Sequence, residues 1–409
     1  MGLYGSLRLV IGRLTVRILF LSRWFPWPPD NGSKLRIFNL LKIIATKNSI
    51  DLITFSSDPV LKDHLSTLHE YCGEIACVPY KSYNPSSLQS ILGLFSKLPR
   101  YLVDTYNKEY ERHICDFISS NKYDLVIMSE IDLTSYLPLL KNHKVILDEL
   151  QLSILYEARQ GQLNNVKILR NAITWKKHQQ YVRQVLKMID GCTVTSEKER
   201  SLISSLSYQL QSEVIPNGVD SKLYTGLQTI LEKGSLIYSG ALSYFANLDA
   251  VNYFIQDILP EVRKYQPEVK LYITGRYDNH IKSRLVPNDS VILTGYLDDV
   301  RTRIAQSWIS IVPLRIGGGT RLKILESLAL GTPVVSTSKG AEGLLLSPGS
   351  EIIIADRPQE FAREIIELIE DPVRRSALSA CGRDAVIHKY DWQLIGERFL
   401  QFIENVATS

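Results

Sequence analysis

WISIVPLRIGGGTRLKILESLALGTPVVST, residues Trp308 to Thr337, is the stretch on which the reading of the chain turns. Ile309 to Leu314 is a short apolar run of strand type, and Gly317-Gly318-Gly319 follows it at once. Thr320 is the expected N-cap of a helix in which Leu322, Leu325, Leu328 and Ala329 share one face. Gly331 closes that helix, and Pro333 opens a second strand that runs to Thr337. The segment thus reads as strand, glycine loop, helix, tight turn and strand.

Such a segment has a use beyond packing. Three glycines let backbone N–H groups approach an anion with no Cβ in the way. The helix that follows offers the unpaired N–H groups of its first turn and the positive end of its dipole. Arg321 and Lys323 add full charge near the same end, and Glu326 lies one turn beyond Lys323, where a carboxylate accepts hydrogen bonds from a sugar diol. One short segment could therefore hold a diphosphate and a ribose. A glycine-rich turn also lets a helix pack closely on a sheet, and it is the register of Arg321, Lys323 and Glu326 that favours the anion site.

The chain has 409 residues, enough for two domains of ordinary size. A formal charge of +4 is small for that length and speaks against a dedicated nucleic-acid binder. Cysteines at 72, 77, 115, 192 and 381 show neither metal-type pairing nor a disulfide framework, which suits a reducing cytosol. The histidines form no HExxH pattern, so no metal is expected. No apolar run reaches the length of a spanning helix. The N-terminal segment MGLYGSLRLVIGRLTVRILFLS is broken by Arg8, Gly12, Arg13 and Arg17 and reads as a loose extension, with attachment to a membrane surface as the alternative.

Outside the opening stretch, short apolar runs alternate with helical ones, the signature of an α/β protein. In the first half these strands are expected near Ile18, Ile50, Ile75, Tyr123, Lys144, Gly191 and Glu213. The loop after the first strand, WFPWPPDNGS, carries Gly32 just before a helix expected to start near Lys34. Its Trp24 and Trp27 read either as a surface for a sugar ring or as packing beneath the prolines. Between Tyr80 and Tyr106 the alternation breaks: SSLQSILGLFSKLPRYL reads as core packing or as an amphipathic element that touches a membrane or a lipid-linked acceptor. A basic helix is expected from Gln162 to Ile189. EVIPNGVDSKLY, residues 213–224, holds a turn signal, and the polar residues from Thr225 to Gly234 read as a linker. The second half then restarts the pattern with strands that end in glycine at 240, 275 and 295, where an open parallel sheet places its ligand crevice.

PLRIGGGTRLKILESLALGTPVVST with KGAEGL after it, the PNGVD turn followed by an aromatic, and Asp30-Asn31-Gly32-Ser33 together resemble the retaining glycosyltransferases of family 4. The resemblance spans nearly the whole chain after about residue 16. It implies the GT-B fold: an α/β protein with two Rossmann-like doubly wound parallel-sheet domains facing a cleft, and a C-terminal helix crossing back to the first. The implied limits are 1–220 for the acceptor-side domain, 221–390 for the nucleotide-sugar domain and 391–409 for the helix. On the donor side it implies Glu326 at the ribose, the glycine loop with Thr320 at phosphate or sugar hydroxyls, and Gly240, Gly275, Tyr296 and Leu297 beside the nucleotide, with Gly32 near the transferred sugar. On the acceptor side it points to Trp24, Trp27, Asp148 and Glu149. The chain departs from the family in three places. Gly318 stands where a first glutamate is usual, and Ala241 and Asn247 stand where Arg and Lys are usual, which leaves Arg321 and Lys323 as the expected catalytic residues, gripping the diphosphate. No histidine follows Asp148.

The expected function is retaining, metal-independent transfer of a sugar, of hexosyl type, from a nucleotide-diphosphate sugar such as a UDP-sugar. The acceptor would be a hydroxyl on a glycan or lipid-linked molecule, within polysaccharide or cell-envelope assembly. The expected setting is the cytoplasm, with peripheral contact at the inner face of the membrane as an option. No cofactor and no nucleic acid are expected. Two rivals remain: a nucleotide-sugar epimerase or isomerase, for which Asp148 and Glu149 would be acid and base, and a catalytically silent partner in a glycan assembly complex. A dinucleotide oxidoreductase is disfavoured because no GxGxxG follows the first strand.

Overall fold

The structure is a computed structural model that describes residues 15–57, 62–150, 176–206, 209–224, 227, 229–317, 319 and 321–409. Gly318, Thr320, the N-terminal segment through residue 14 and the part of the expected basic helix before residue 176 lie outside the described residues. Residues 176–185 of that helix are helical.

Two parallel sheets account for the fold. The first takes β1 (Arg17–Ser22), β2 (Ser49–Ser56), β3 (Ile75–Pro79), β4 (Leu125–Ser129), β5 (Lys144–Asp148), β6 (Gly191–Val194) and β7 (Gln211–Val214) in the order β3-β2-β1-β4-β5-β6-β7. The second takes β8 (Glu232–Ser239), β9 (Lys270–Thr274), β10 (Val291–Gly295), β11 (Ser307–Val312), β12 (Val334–Ser336) and β13 (Ile353–Ile354) in the order β10-β9-β8-β11-β12-β13. Central strands such as β1 and β4 are apolar on both faces and almost fully buried, as strands covered by helices on both sides must be. Two doubly wound parallel-sheet α/β domains of GT-B type are therefore observed, as the sequence led one to expect.

By contact density, residues within 1–148, 188–191 and 400–409 form one compact unit, and those within 149–187 and 192–399 form another. Five helices matter below: α1 (Gly32–Ile44), α2 (Leu88–Leu92), α3 (Phe245–Tyr253), α4 (Leu322–Ala329) and α5 (Trp392–Thr408). The last residues of α5 belong to the first unit, where Lys144 Nζ donates to the Val406 carbonyl at 3.1 Å. Helix α1 begins at Gly32, two residues before the expected start, because the Asn31 side chain accepts from the Lys34 N–H and caps it.

Two local expectations change. Helix α4 starts at Leu322 with Arg321 in the cap position, so the cap falls one residue after Thr320. Arg321 makes no side-chain cap bond; its guanidinium turns back onto the Gly317 carbonyl at 2.7 Å. The linker expected to run to Gly234 gives way to strand at Glu232, whose carboxylate accepts from the Tyr272 hydroxyl and pairs with Arg303 at 2.8 Å.

Each sheet reverses its winding once. In the first, the chain moves outward from β1 to β2 and β3 and then returns to β4 on the other side of β1; in the second, β8 and β11 hold the same positions. The crevice outside the carboxyl ends of such a strand pair is where open α/β sheets hold ligands.

Candidate functional site

The second sheet's reversal point lies between the ends of β8 and β11. Strand β8 runs out at Ser239, and Gly240 follows with φ +146°. A Cβ there would lie 2.8 Å from Lys323 Nζ and 2.9 Å from Asn247 Nδ2, so only glycine lets the ammonium settle against the strand end. Gly275, at φ +111°, ends β9, and a Cβ there would press to 2.6 Å on the Gly240 backbone. These two glycines are where the chain needs an absent side chain most.

Lys323 comes from the first turn of α4 and is partly buried. Its ammonium donates to the Tyr238 hydroxyl at 2.9 Å and to Asn247 Oδ1 at 3.0 Å. The Tyr238 hydroxyl also donates to Asn247 Oδ1 at 2.7 Å, and Asn247 Nδ2 is fixed by the Ala241 carbonyl at 2.8 Å. Both partners are neutral, since burial holds the Tyr238 phenol far above its ordinary range. Burial, with the nearby Arg321 charge next, pushes the lysine pKa down to about 7, while Glu326 opposes the shift. An ammonium has three donors, and here two are used. The third has no counter-charge bonded to it among the described residues.

Glu326 lies one turn along α4, and burial raises its pKa. It accepts from the Tyr224 hydroxyl at 3.2 Å, so the aromatic after the PNGVD turn is fixed to the helix carrying the carboxylate. Gly317 and Gly319 have φ of +102° and +82°. Tyr244 and Ala246, at the start of α3, flank Gly317: a Cβ built there would lie 3.3 Å from the Tyr244 hydroxyl. Arg321 is 7% exposed and braces the loop through the Gly317 carbonyl, so its place is inside the loop rather than on its open side. At the ends of β9 and β10, the Gly275 N–H bonds to the Gly295 carbonyl, and the Arg276 guanidinium lies 4.7 Å from the centre of the exposed Tyr296 ring. Leu297 beside it is half-buried. The structure thus brings together Gly240, Gly317, Arg321 and Lys323, with Glu326 one turn on along α4, and it adds Tyr224, Tyr238, Asn247 and Arg276 to the sequence-derived set.

The first sheet's reversal point is filled differently. Arg23, one residue past β1, pairs with Glu130 at 3.1 Å and with Asp132, and donates to the Tyr80 hydroxyl at 3.0 Å. Trp24 Nε1 donates to Glu130 at 2.8 Å, and the Trp24 ring stacks on Tyr80 at 5.8 Å. Burial raises the pKa of both carboxyls against the pull of Arg23. Trp27 packs on Phe38 of α1 at 5.0 Å between ring centres. Asp148 is fully buried and holds Arg36 of α1 through two bonds, at 2.7 and 2.9 Å. Glu149 adopts a left-handed φ of +59°, and its N–H bonds to Thr193 Oγ1 at 3.2 Å. Trp24 therefore joins a polar cluster, while Trp27 and Asp148 join the packing. Sequence reading passed over Glu130 and Asp132. Their signal was a pair of carboxylates immediately past a buried strand.

Residues 233–371 match the family model described as Glycosyl transferases group 1. Over 160 residues, 36% of this chain and 42% of the relative, the chain is 29% identical to the GDP-mannose-dependent monoacylated alpha-(1-6)-phosphatidylinositol monomannoside mannosyltransferase of Corynebacterium glutamicum. It thus spans less than half of that relative's length. It is 23% identical to an uncharacterized 44.6 kDa protein in the cps region of Klebsiella pneumoniae, over 86% of this chain and 90% of that one. Among solved structures, Anabaena HepE in complex with UDP and glucose superposes with a TM-score of 0.65 at 14% identity, covering 95% of this chain and 100% of the other. That likeness is one of fold. The group 1 segment contains Lys323, Glu326, Asn247, Tyr238 and the whole glycine loop, so the match falls on the second sheet's site.

Proposed function

We propose that the protein is a retaining glycosyltransferase that moves a sugar from a nucleoside-diphosphate sugar to a hydroxyl of a glycan or lipid-linked acceptor, without a metal. One observation carries the reading: Lys323, an ammonium whose two hydrogen-bond partners among the described residues are both neutral, stands at the sheet reversal beside a loop of left-handed glycines. An enclosed cation of that kind gains most from an anionic ligand. The diphosphate would accept from Lys323 and from the backbone N–H groups that open α4. The outward side of Glu326 would take the ribose hydroxyls, and Arg276 with Tyr296 would offer a face to the base. Arg321 acts by holding the loop.

In the transfer, the bond between the anomeric carbon and the phosphate oxygen breaks as the acceptor oxygen bonds to the same carbon from the same face. The acceptor proton passes to the leaving phosphate oxygen. Lys323 and the helix terminus stabilise the charge that develops on the leaving group, which is the work a metal does elsewhere. The mannosyltransferase from Corynebacterium and the UDP and glucose bound by HepE support this donor class.

The test is donor turnover with a panel of UDP- and GDP-sugars in excess EDTA. Release of nucleoside diphosphate that survives EDTA and is lost in Lys323→Met supports the reading. Conversion of the donor into an isomeric nucleotide sugar, with no diphosphate released, would replace it by the epimerase reading.

A further inference from the structure

Residues 80–103 form an excursion from the end of β3 in which large apolar side chains face water. Lys81, Asn84, Ser86, Gln89 and Lys97 are exposed as well, and a few buried polar groups anchor the segment. Ser90 of α2 is fully buried, and Asp104, just past the segment, is fully buried too. Asp104 takes the Asn84 N–H at 2.8 Å, the Lys81 ammonium at 3.1 Å and the Ser87 hydroxyl. Arg100 closes the turn, with Nε on the Ser90 carbonyl at 2.8 Å and Nη2 on the Pro85 carbonyl at 2.7 Å. The apolar side chains point outward: Leu88 is 72% exposed and Phe95 88%, and Ile91, Leu92 and Leu94 are exposed with them. The bonds to Asp104 and from Arg100 hold the turn, and on that frame it presents five large apolar side chains.

Within the segment the charge has one sign. Lys81, Lys97 and Arg100 lie within residues 80–103, and the stretch contains no Asp or Glu. The carboxylate next in sequence, Asp104, is the buried one that Lys81 neutralises. Exposed Lys97 lies two residues from Phe95. Apolar side chains able to enter the boundary of acyl chains, flanked by cations and free of acids, fit an anionic bilayer surface. No described helix is long and apolar enough to cross a membrane, so the contact is one of surface insertion.

We infer that residues 88–97 are a docking face for the surface of an anionic lipid bilayer. This goes beyond the donor reading and stands on different residues. The donor site is read by nucleotide binding and this face by vesicle binding, so either can fail while the other holds.

The experiment is co-sedimentation of the purified full chain with vesicles of phosphatidylcholine containing about one third phosphatidylglycerol. The wild type is expected to pellet with them, less so in high salt or with phosphatidylcholine alone. The triple variant Leu88→Ser, Leu92→Ser, Phe95→Ser should lose about tenfold or more in partitioning while keeping its melting curve and its nucleotide affinity. Lys97→Glu, which leaves the apolar side chains in place, should weaken binding to the anionic vesicles. Failure of the wild type to pellet, or equal pelleting by wild type and triple variant, would overturn the inference. So would a concentration-dependent dimer abolished by the triple variant, which would mark the face as self-associating.

Discussion

At the reversal of the first sheet, Arg23 is answered by Glu130 and Asp132; at the reversal of the second, Lys323 is answered by a phenol and an amide. The two places are equivalent in topology, and their chemistry is opposite. In the first, one cation meets two carboxylates between aromatic rings, and the cation is paired from within. In the second, the cation sits partly desolvated against glycine backbone, and among the described residues no carboxylate is bonded to it. A buried charge without a counter-charge costs stability, and a fold retains it where a ligand supplies the missing partner. The contrast is the reason the proposed diphosphate site is put at the second reversal and not at the first.

The same contrast sets the sign and size of what mutations do. The largest effect is expected at the buried pair of the first unit. Asp148→Ala removes the carboxylate that holds the buried Arg36 guanidinium, at a cost of about 3–5 kcal/mol, and a thermal melt should show a drop of many degrees or loss of the folded protein. Lys323→Met should do the reverse. It removes a cation that burial already disfavours, so the melting temperature should hold or rise while affinity for the donor nucleotide drops about tenfold to a hundredfold. If Lys323→Met destabilised the protein as Asp148→Ala does, the two reversals would not differ in the way described.

Next in size is the pH dependence. Lys323 without ligand loses its proton near pH 7, and a bound diphosphate would raise its pKa. Donor binding should therefore be full strength below that pH and weaken as pH rises through it, by up to about tenfold per unit until the pKa of the bound state is reached. An intact nucleotide sugar is the right probe, because its diphosphate does not titrate there. Lys323→Met should flatten the profile. The smallest effect is expected at Tyr224→Phe, which removes one hydrogen bond from Glu326 and should cost about 1 kcal/mol in stability, with a modest loss of nucleotide affinity.

How much of the molecule is legible in its sequence follows from the range of each interaction. Strands such as Leu125–Ser129 and Lys144–Asp148 are legible because burial on both faces writes a local apolar run. Lys323 and Glu326 are legible because helical spacing is local as well. Asn247 reads in the sequence as a departure, a neutral residue where a cation is usual, and the structure explains its presence. Its side chain holds the ammonium that comes from α4, 76 residues away. The pair of Tyr224 and Glu326, 102 residues apart, and that of Arg23 and Glu130, 107 apart, leave no local pattern for a sequence to show. The cap at Arg321 escapes sequence reading for a related reason, because its side chain serves the glycine loop and not the helix N-terminus.

The most direct test of the Lys323 assignment is calorimetric titration of wild type and Lys323→Met with UDP-sugars and GDP-sugars, above and below pH 7. One nucleotide class should bind the wild type, with proton uptake above pH 7, and should bind Lys323→Met at least about tenfold more weakly at low pH. Equal affinity for wild type and variant, or no binding of either class to the wild type, would contradict the assignment.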